Sequence, residues 1–84
     1  MRSPERHPYE IVLEILALAD VGAPKTEISR TCNLTTPRLE KYLSKLISKG
    51  IVEKSDFHYF LTTGGELQYQ ALLRAKEAID VVMA

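Results

Sequence analysis

From Tyr9 to Val21 the apolar residues Ile11, Val12, Ile15, Leu16, Leu18 and Ala19 recur at helical spacing, with Glu10 and Glu14 paired on the opposite side. The spacing predicts a helix with a wide apolar face, stopped by Gly22 and the following Ala23-Pro24. The stretch from Lys25 to about Cys32 is too short for an independent helix. Ile28 and the preceding Pro24 suit a two-turn helix docked on its neighbours, with Asn33 in the left-handed position that closes it. Leu34 then points inward as the anchor of a tight turn. A further helix begins at Thr36, read as a hydroxyl N-cap with Pro37 at the first helical position. Leu39, Tyr42, Leu43, Leu46 and Ile47 make its inner stripe at i, i+3, i+4, i+7 and i+8, and Gly50 ends it.

After Gly50 the period shortens. Ile51-Val52-Glu53-Lys54 and His58-Tyr59-Phe60-Leu61-Thr62 are β-prone runs separated by Ser55-Asp56-Phe57, which predicts a hairpin. Thr63-Gly64-Gly65-Glu66 matches a capping box, and a last helix runs from there almost to Ala84. The stretch 1–8, with two prolines and mixed charge, reads as a flexible lead-in. The order helix, short helix, tight turn, longer helix, hairpin, helix is that of a winged helix-turn-helix domain over residues 9–66, mainly α with a small β-hairpin. Residues 67–84 then form an extended C-terminal helix, assigned to dimerisation.

Charge sharpens this picture. The chain carries 11 basic and 11 acidic residues and has a formal net charge of +0. Between Lys25 and Lys49, however, six basic residues (Lys25, Arg30, Arg38, Lys41, Lys45, Lys49) face two acidic ones (Glu27, Glu40), a net of +4 that leaves −4 for the rest. Such a dipolar chain can turn one face toward a polyanion while its other surfaces repel it. In a helix-turn-helix the second helix enters the DNA major groove and its first residues reach base edges, while the first helix braces it on the phosphates. That assigns Thr35, Thr36 and Arg38 to the leading end and Lys41 and Lys45 to phosphates. Lys25, Thr26 and Arg30 fall to the bracing helix. Lysines on an exposed helix face also serve as mere solubilisers, and Thr35 or Thr36 also fits a purely capping role.

The segments LEILALADVGAPKTEISRTCNLTTPRLEKYLSKLISKGIVEK and YFLTTGGELQYQALL resemble archaeal winged-helix regulators related to small, abundant DNA-binding proteins that dimerise through a C-terminal coiled coil. The matching motifs are Lys25-Thr26-Glu27-Ile28, the helix ending Tyr42-Leu43-xx-Leu46-xxx-Gly50, and the wing exit Leu61-Thr62-Thr63-Gly64-Gly65. The resemblance spans roughly residues 10–75. It implies nonspecific or weakly specific binding of double-stranded DNA by Thr35, Thr36, Arg38, Lys41 and Lys45, with the hairpin as wing. The short wing loop holds Asp56, which departs from a basic wing built for deep insertion. Lys54 and His58 stand at its shoulders as candidate backbone contacts, and His58 equally fits an ordinary strand position.

On the last helix Leu67, Ala71, Leu72, Ala75, Ala78, Ile79, Val82 and Met83 occupy one broad sector interrupted only by Gln68. Leu72, Ala75, Ile79 and Val82 follow heptad spacing and, with Tyr69, make the expected homodimer interface. The competing reading is that the first helix covers this stripe within one monomer. The helix is shorter than a long two-stranded coiled coil requires.

Other classes find little support. Cys32 is the only cysteine, so no intrachain disulfide and no cysteine zinc cluster is expected, and it reads as a small core hydrophobe. No apolar run reaches the roughly 18 residues of a membrane span, and MRSPERHPYE lacks the apolar region of a signal peptide, so a cytoplasmic protein without membrane contact is expected. An enzyme would need a base, and only His7 in the lead-in and His58 in the hairpin offer one. No catalytic residue, cofactor or metal is assigned. The nearest rival is a winged-helix module that binds protein instead of DNA, which the neutral charge and acidic wing allow.

Overall fold

The first helix of the computed structural model, which describes residues 7–83, is the one around which the other elements assemble. This helix, α1 (Pro8–Val21), is capped by His7, whose Nδ1 accepts the Tyr9 N–H at 3.3 Å while its own N–H donates to Glu10 Oε1 at 3.0 Å. The rest of the lead-in, residues 1–6, lies outside the described residues. Ile11, Ile15, Leu16 and Ala19 are buried as the spacing requires, with Val12 and Leu18 half-buried. Leu13 is buried as well, although it stands outside the predicted stripe. Its cover is α4, which lies along the side of α1 that carries Glu10, Leu13, Glu14 and Ala17.

Gly22 does more than stop α1. Its φ of 102° turns the chain, and a β-carbon built on it would stand 2.2 Å from the Phe60 ring, so Phe60 packs directly on the glycine. The next two residues, expected only to stop the helix, form a short strand, β1 (Ala23–Pro24). Pairing with a strand far along the chain, not local propensity, makes it a strand. With β2 (Val52–Ser55) and β3 (His58–Leu61) it builds an antiparallel sheet of order β1-β3-β2, in which Ala23 faces Tyr59 and Val52 faces Leu61. Ser55 pairs with His58, so the hairpin loop is Asp56-Phe57 alone, one residue shorter than predicted. Asp56 supplies the positive φ, 57°, that so tight a reversal needs and that aspartate tolerates better than most residues.

Between α1 and the hairpin lie α2 (Lys25–Cys32) and α3 (Thr36–Ser48). Asn33 closes α2 at φ 55°, ψ 50°, in the left-handed region as expected. Leu34 is buried, and the Ser29 hydroxyl donates to its carbonyl to pin the turn. The cap of α3 is Thr35, one residue before the predicted Thr36: its Oγ1 accepts the Arg38 N–H at 3.4 Å, and Pro37 is the second helical residue. Leu39, Leu43 and Leu46 are buried and Tyr42 is half-buried, but Ile47 is 42% exposed and belongs to the helix edge, not to the inner stripe. Cys32, Ile28, Val52, Tyr59 and Leu61 complete the core between helices and sheet. Each fully buried Ile or Leu contributes about 1.5–3 kcal/mol.

The last helix, α4 (Thr63–Met83), also starts one residue away from its predicted cap. Thr62, not Thr63, caps it: the Thr62 Oγ1 accepts the Gly65 N–H at 2.8 Å and donates back to the Gly50 carbonyl. Gly65 therefore holds the third helical position, Glu66 lies one residue too far for a reciprocal capping box, and that expectation is corrected. The register is set by β3, which carries Thr62 alongside Ile51 through a Thr62 N–H to Ile51 carbonyl bond of 3.0 Å.

Candidate nucleic-acid interface

With Leu39, Leu43 and Leu46 turned inward, helical periodicity places Pro37, Lys41, Ser44 and Ser48 at the centre of the outward face of α3. All four are exposed. Arg38, Lys45 and Lys49 are exposed along the edge of that face nearest α1, where Arg38, Lys41 and Lys45 surround a shallow depression floored by Pro8 and Tyr42. The opposite edge carries Glu40, which shares a second shallow depression with Pro37, Lys41, Ser44 and Lys45. The outer surface of α3 is thus basic along its length, with one carboxylate.

That carboxylate is engaged. Lys25 Nζ donates to Glu40 Oε2 at 2.8 Å, tying the first residue of α2 to the second turn of α3 across the turn. The hydrogen bond holds the Lys25 ammonium above its ordinary value of 10.5. Lys25, expected to touch phosphate, is in this arrangement a partner of Glu40. Its neighbour Thr26 is exposed at the start of α2, and Arg30 is exposed in the last turn of the same helix. Thr35 spends its oxygen as an acceptor in the α3 cap and stays exposed, as does Thr36 beside it.

The hairpin offers a mixed surface. Lys54, cross-strand partner of Tyr59, places its ammonium 5.8 Å from the centre of that ring, within cation–π range. Pro24, Lys25, Thr26, Lys54 and Tyr59 line a shallow groove between α2 and the hairpin, and Phe57 at the tip overhangs it with 81% of its surface exposed. His58 is exposed on the other face of β3, its ring 6.2 Å from that of Phe60. Lys54 thus stands on the same side as the start of α2, and His58 on the side away from it.

A helix braced on a helix by a tight turn, followed by a hairpin paired to the strand before the motif, is a specific combination, and a family model described as winged helix-turn-helix matches residues 5–80. The chain is a winged helix-turn-helix protein. No curated protein matches it. Within the winged helix-turn-helix frame α2 and α3 are the two helices of the motif and β2–β3 is the wing. The structure brings Arg38, Lys41 and Lys45 together on α3, and Lys25, Thr26 and Lys54 around one groove beside it. Arg30 and His58 lie apart from both depressions. Glu40, Pro37 and Phe57 are not among the site residues that the sequence predicts. Phe57 is an apolar residue in a polar turn, a signal visible in the sequence, whereas the Lys25–Glu40 pair joins residues 15 apart and needs the fold.

The dimer candidates divide. Tyr69 and Leu72 are half-buried against the core of their own chain, while Ala75, Ile79 and Val82 are exposed. Among the described residues no helix is long and apolar enough to cross a membrane, and no group of three or more His, Cys, Asp or Glu residues is arranged to hold a metal ion.

Proposed function

We propose that this winged helix-turn-helix protein binds double-stranded DNA as a homodimer, laying α3 in the major groove, and acts as a transcriptional regulator or small chromatin-type protein of the archaeal kind its sequence resembles. The observation that carries the reading is the outward face of α3, where Arg38, Lys41, Lys45 and Lys49 are all exposed along one solvent-facing ridge. Lys41 and Lys45 meet phosphates. Arg38, in the first turn, reaches a base edge, where a guanidinium can bond guanine O6 and N7 together. Thr26, Thr35 and Thr36 add backbone contacts that fix orientation without reading sequence. Lys54 approaches the duplex from the wing. The exposed apolar end of α4 joins two such domains, so that their recognition helices face the same side of the duplex.

Fluorescence anisotropy with a random-sequence duplex at several salt concentrations tests this. Each phosphate contact adds about −0.9 to the slope of log K against log salt, so replacing Lys41 and Lys45 by alanine weakens binding to every sequence and flattens the slope by roughly two per subunit. No measurable affinity at roughly 50 mM salt, or an unchanged slope in the double mutant, overturns the reading. The exposed Phe57 at the tip of an acidic wing favours a second reading, a protein-docking surface, and that reading takes over in either case.

A further inference from the structure

Glu40 is misplaced for a helix that only grips phosphates. Its carboxylate lies on the same outer surface as Lys41 and Lys45, where it repels the backbone of a duplex seated there. Stability does not explain it, because the Lys25–Glu40 pair is solvent-exposed, at 34% and 52% of the side chains, and exposed pairs contribute only about 0–1 kcal/mol. What the pair does is geometric. The 2.8 Å contact biases a long, mobile side chain toward one position at the junction of α2 and α3, the part of a helix-turn-helix that approaches the groove. An anion held there needs a hydrogen-bond donor on the ligand, and the major groove offers two, the exocyclic amino groups of cytosine (N4) and adenine (N6), of which cytosine is the usual partner of a carboxylate because the N7 beside the adenine amino group is itself an acceptor.

Resting on the DNA-binding reading above, we propose that Glu40 is a specificity-determining residue that accepts a hydrogen bond from cytosine N4, and that Lys25 is the positioning residue that holds its carboxylate. Lys25 cancels most of the charge Glu40 would otherwise show to the phosphates, and it leaves one carboxylate oxygen, Oε1, for the base. Guanine O6 and thymine O4 are acceptors in the same groove and are rejected at that position by lone-pair repulsion, whereas adenine, with its N6–H beside the N7 acceptor, is disfavoured less strongly. The base preference of the protein then comes from two residues at opposite edges of α3, Arg38 for guanine and Glu40 for cytosine.

Selection of bound duplexes from a random pool, followed by anisotropy on single-base variants of the enriched site, tests the assignment. The wild type discriminates cytosine from thymine at one position by about tenfold, the low end of what a good base contact gives. Glu40→Ala loses that discrimination while its affinity for random duplex rises, since an anion has been removed and Lys25 released toward phosphate. Lys25→Met reduces the same preference, and Lys25→Arg restores it. A purely structural ion pair predicts the opposite pattern: thermal stability falls in Glu40→Ala and Lys25→Met alike, and the cytosine preference stays. That result, or a wild type that binds random duplex with no cytosine position, overturns the assignment and leaves the DNA-binding reading standing. A wild type with no duplex affinity removes both.

Discussion

The backbone of Gly65 presses against the carbonyl of Ile51 so closely that a β-carbon built on the glycine would stand 1.9 Å from the Ile51 oxygen. Because the obstacle is backbone, it cannot rotate aside, and this contact sets how closely the start of α4 approaches the segment that leads into β2. Gly65→Ala is therefore expected to destabilise the domain by about 1–3 kcal/mol, the usual cost of overpacking, despite the better helix propensity of alanine. Gly64 is the control. A β-carbon there meets nothing nearer than Thr62 Oγ1 at 3.9 Å, so Gly64→Ala is expected to be neutral or slightly stabilising. Urea midpoints of the two variants against wild type decide it, and equal effects at both positions would contradict the packing argument.

Thr62 joins three elements with one hydroxyl. It accepts the Gly65 N–H and donates to the Gly50 carbonyl, so it caps α4 and closes the loop between α3 and β2. Thr62→Val keeps the shape and removes both bonds, and a loss of about 1–2 kcal/mol follows, the upper range for a cap. Thr63→Ala should cost little. Chemical denaturation of the two variants separates the caps, and a larger loss at Thr63 would return the cap to the residue that the Thr-x-x-Glu spacing first suggests.

These caps show where the sequence was legible and where it was not. The helices α1, α2 and α3 could be read to within a residue because their apolar spacing, Pro37 and Asn33 are local signals. Each threonine pair, Thr35-Thr36 and Thr62-Thr63, offers two equivalent hydroxyls between which local sequence does not choose; at the second pair the Thr62 N–H bond to the Ile51 carbonyl selects Thr62. Strand β1 was invisible for the same reason, since Ala23-Pro24 is extended by its partners Tyr59 and His58. At the interface the basic residues of α3 were legible from periodicity. The engagement of Lys25 by Glu40 was not, because it depends on how α2 crosses α3.

The Lys25–Glu40 pair has a defined pH window. The hydrogen bond to Glu40 raises the folded-state value of Lys25 above 10.5, so its contribution to stability is complete below the unfolded value and is lost as pH rises through the folded one. A double-mutant cycle with Lys25→Met and Glu40→Gln, measured by chemical denaturation, should give a coupling energy of no more than about 1 kcal/mol that holds constant through neutral pH and, on the alkaline side, shrinks only above 10.5. Salt should weaken it as well, because both groups are exposed. A coupling already lost by about pH 9 as the pH is raised from neutral, roughly one unit under the ordinary lysine range, would show that the pair is not formed as described.

The two halves of α4 should respond differently to substitution, because Tyr69 and Leu72 pack on the core of their own chain whereas Ile79 and Val82 are 49% and 81% exposed. Leu72→Ala opens a partial cavity against the core and is expected to lower the unfolding temperature of the domain itself. Ile79 and Val82 lie outside the core cluster, so Ile79→Lys and Val82→Lys should leave the core intact. Their effect should fall on self-association, since Ala75, Ile79 and Val82 continue the heptad spacing that Leu72 begins. The seam from Ala75 to Val82 is only about 10 Å long at the rise of an α-helix, too short to hold two chains tightly alone. The wild type is therefore expected to dimerise weakly, with a dimer fraction that rises with concentration, and more tightly on DNA, where two α3 helices bound to one duplex raise the local concentration of the two α4 ends. Sedimentation equilibrium, with and without a duplex long enough for two sites, measures this directly. Ile79→Lys should be monomeric at every concentration at which the wild type dimerises, with an unchanged circular dichroism spectrum. A wild type that remains monomeric even on DNA would show that the exposed end of α4 serves some other contact.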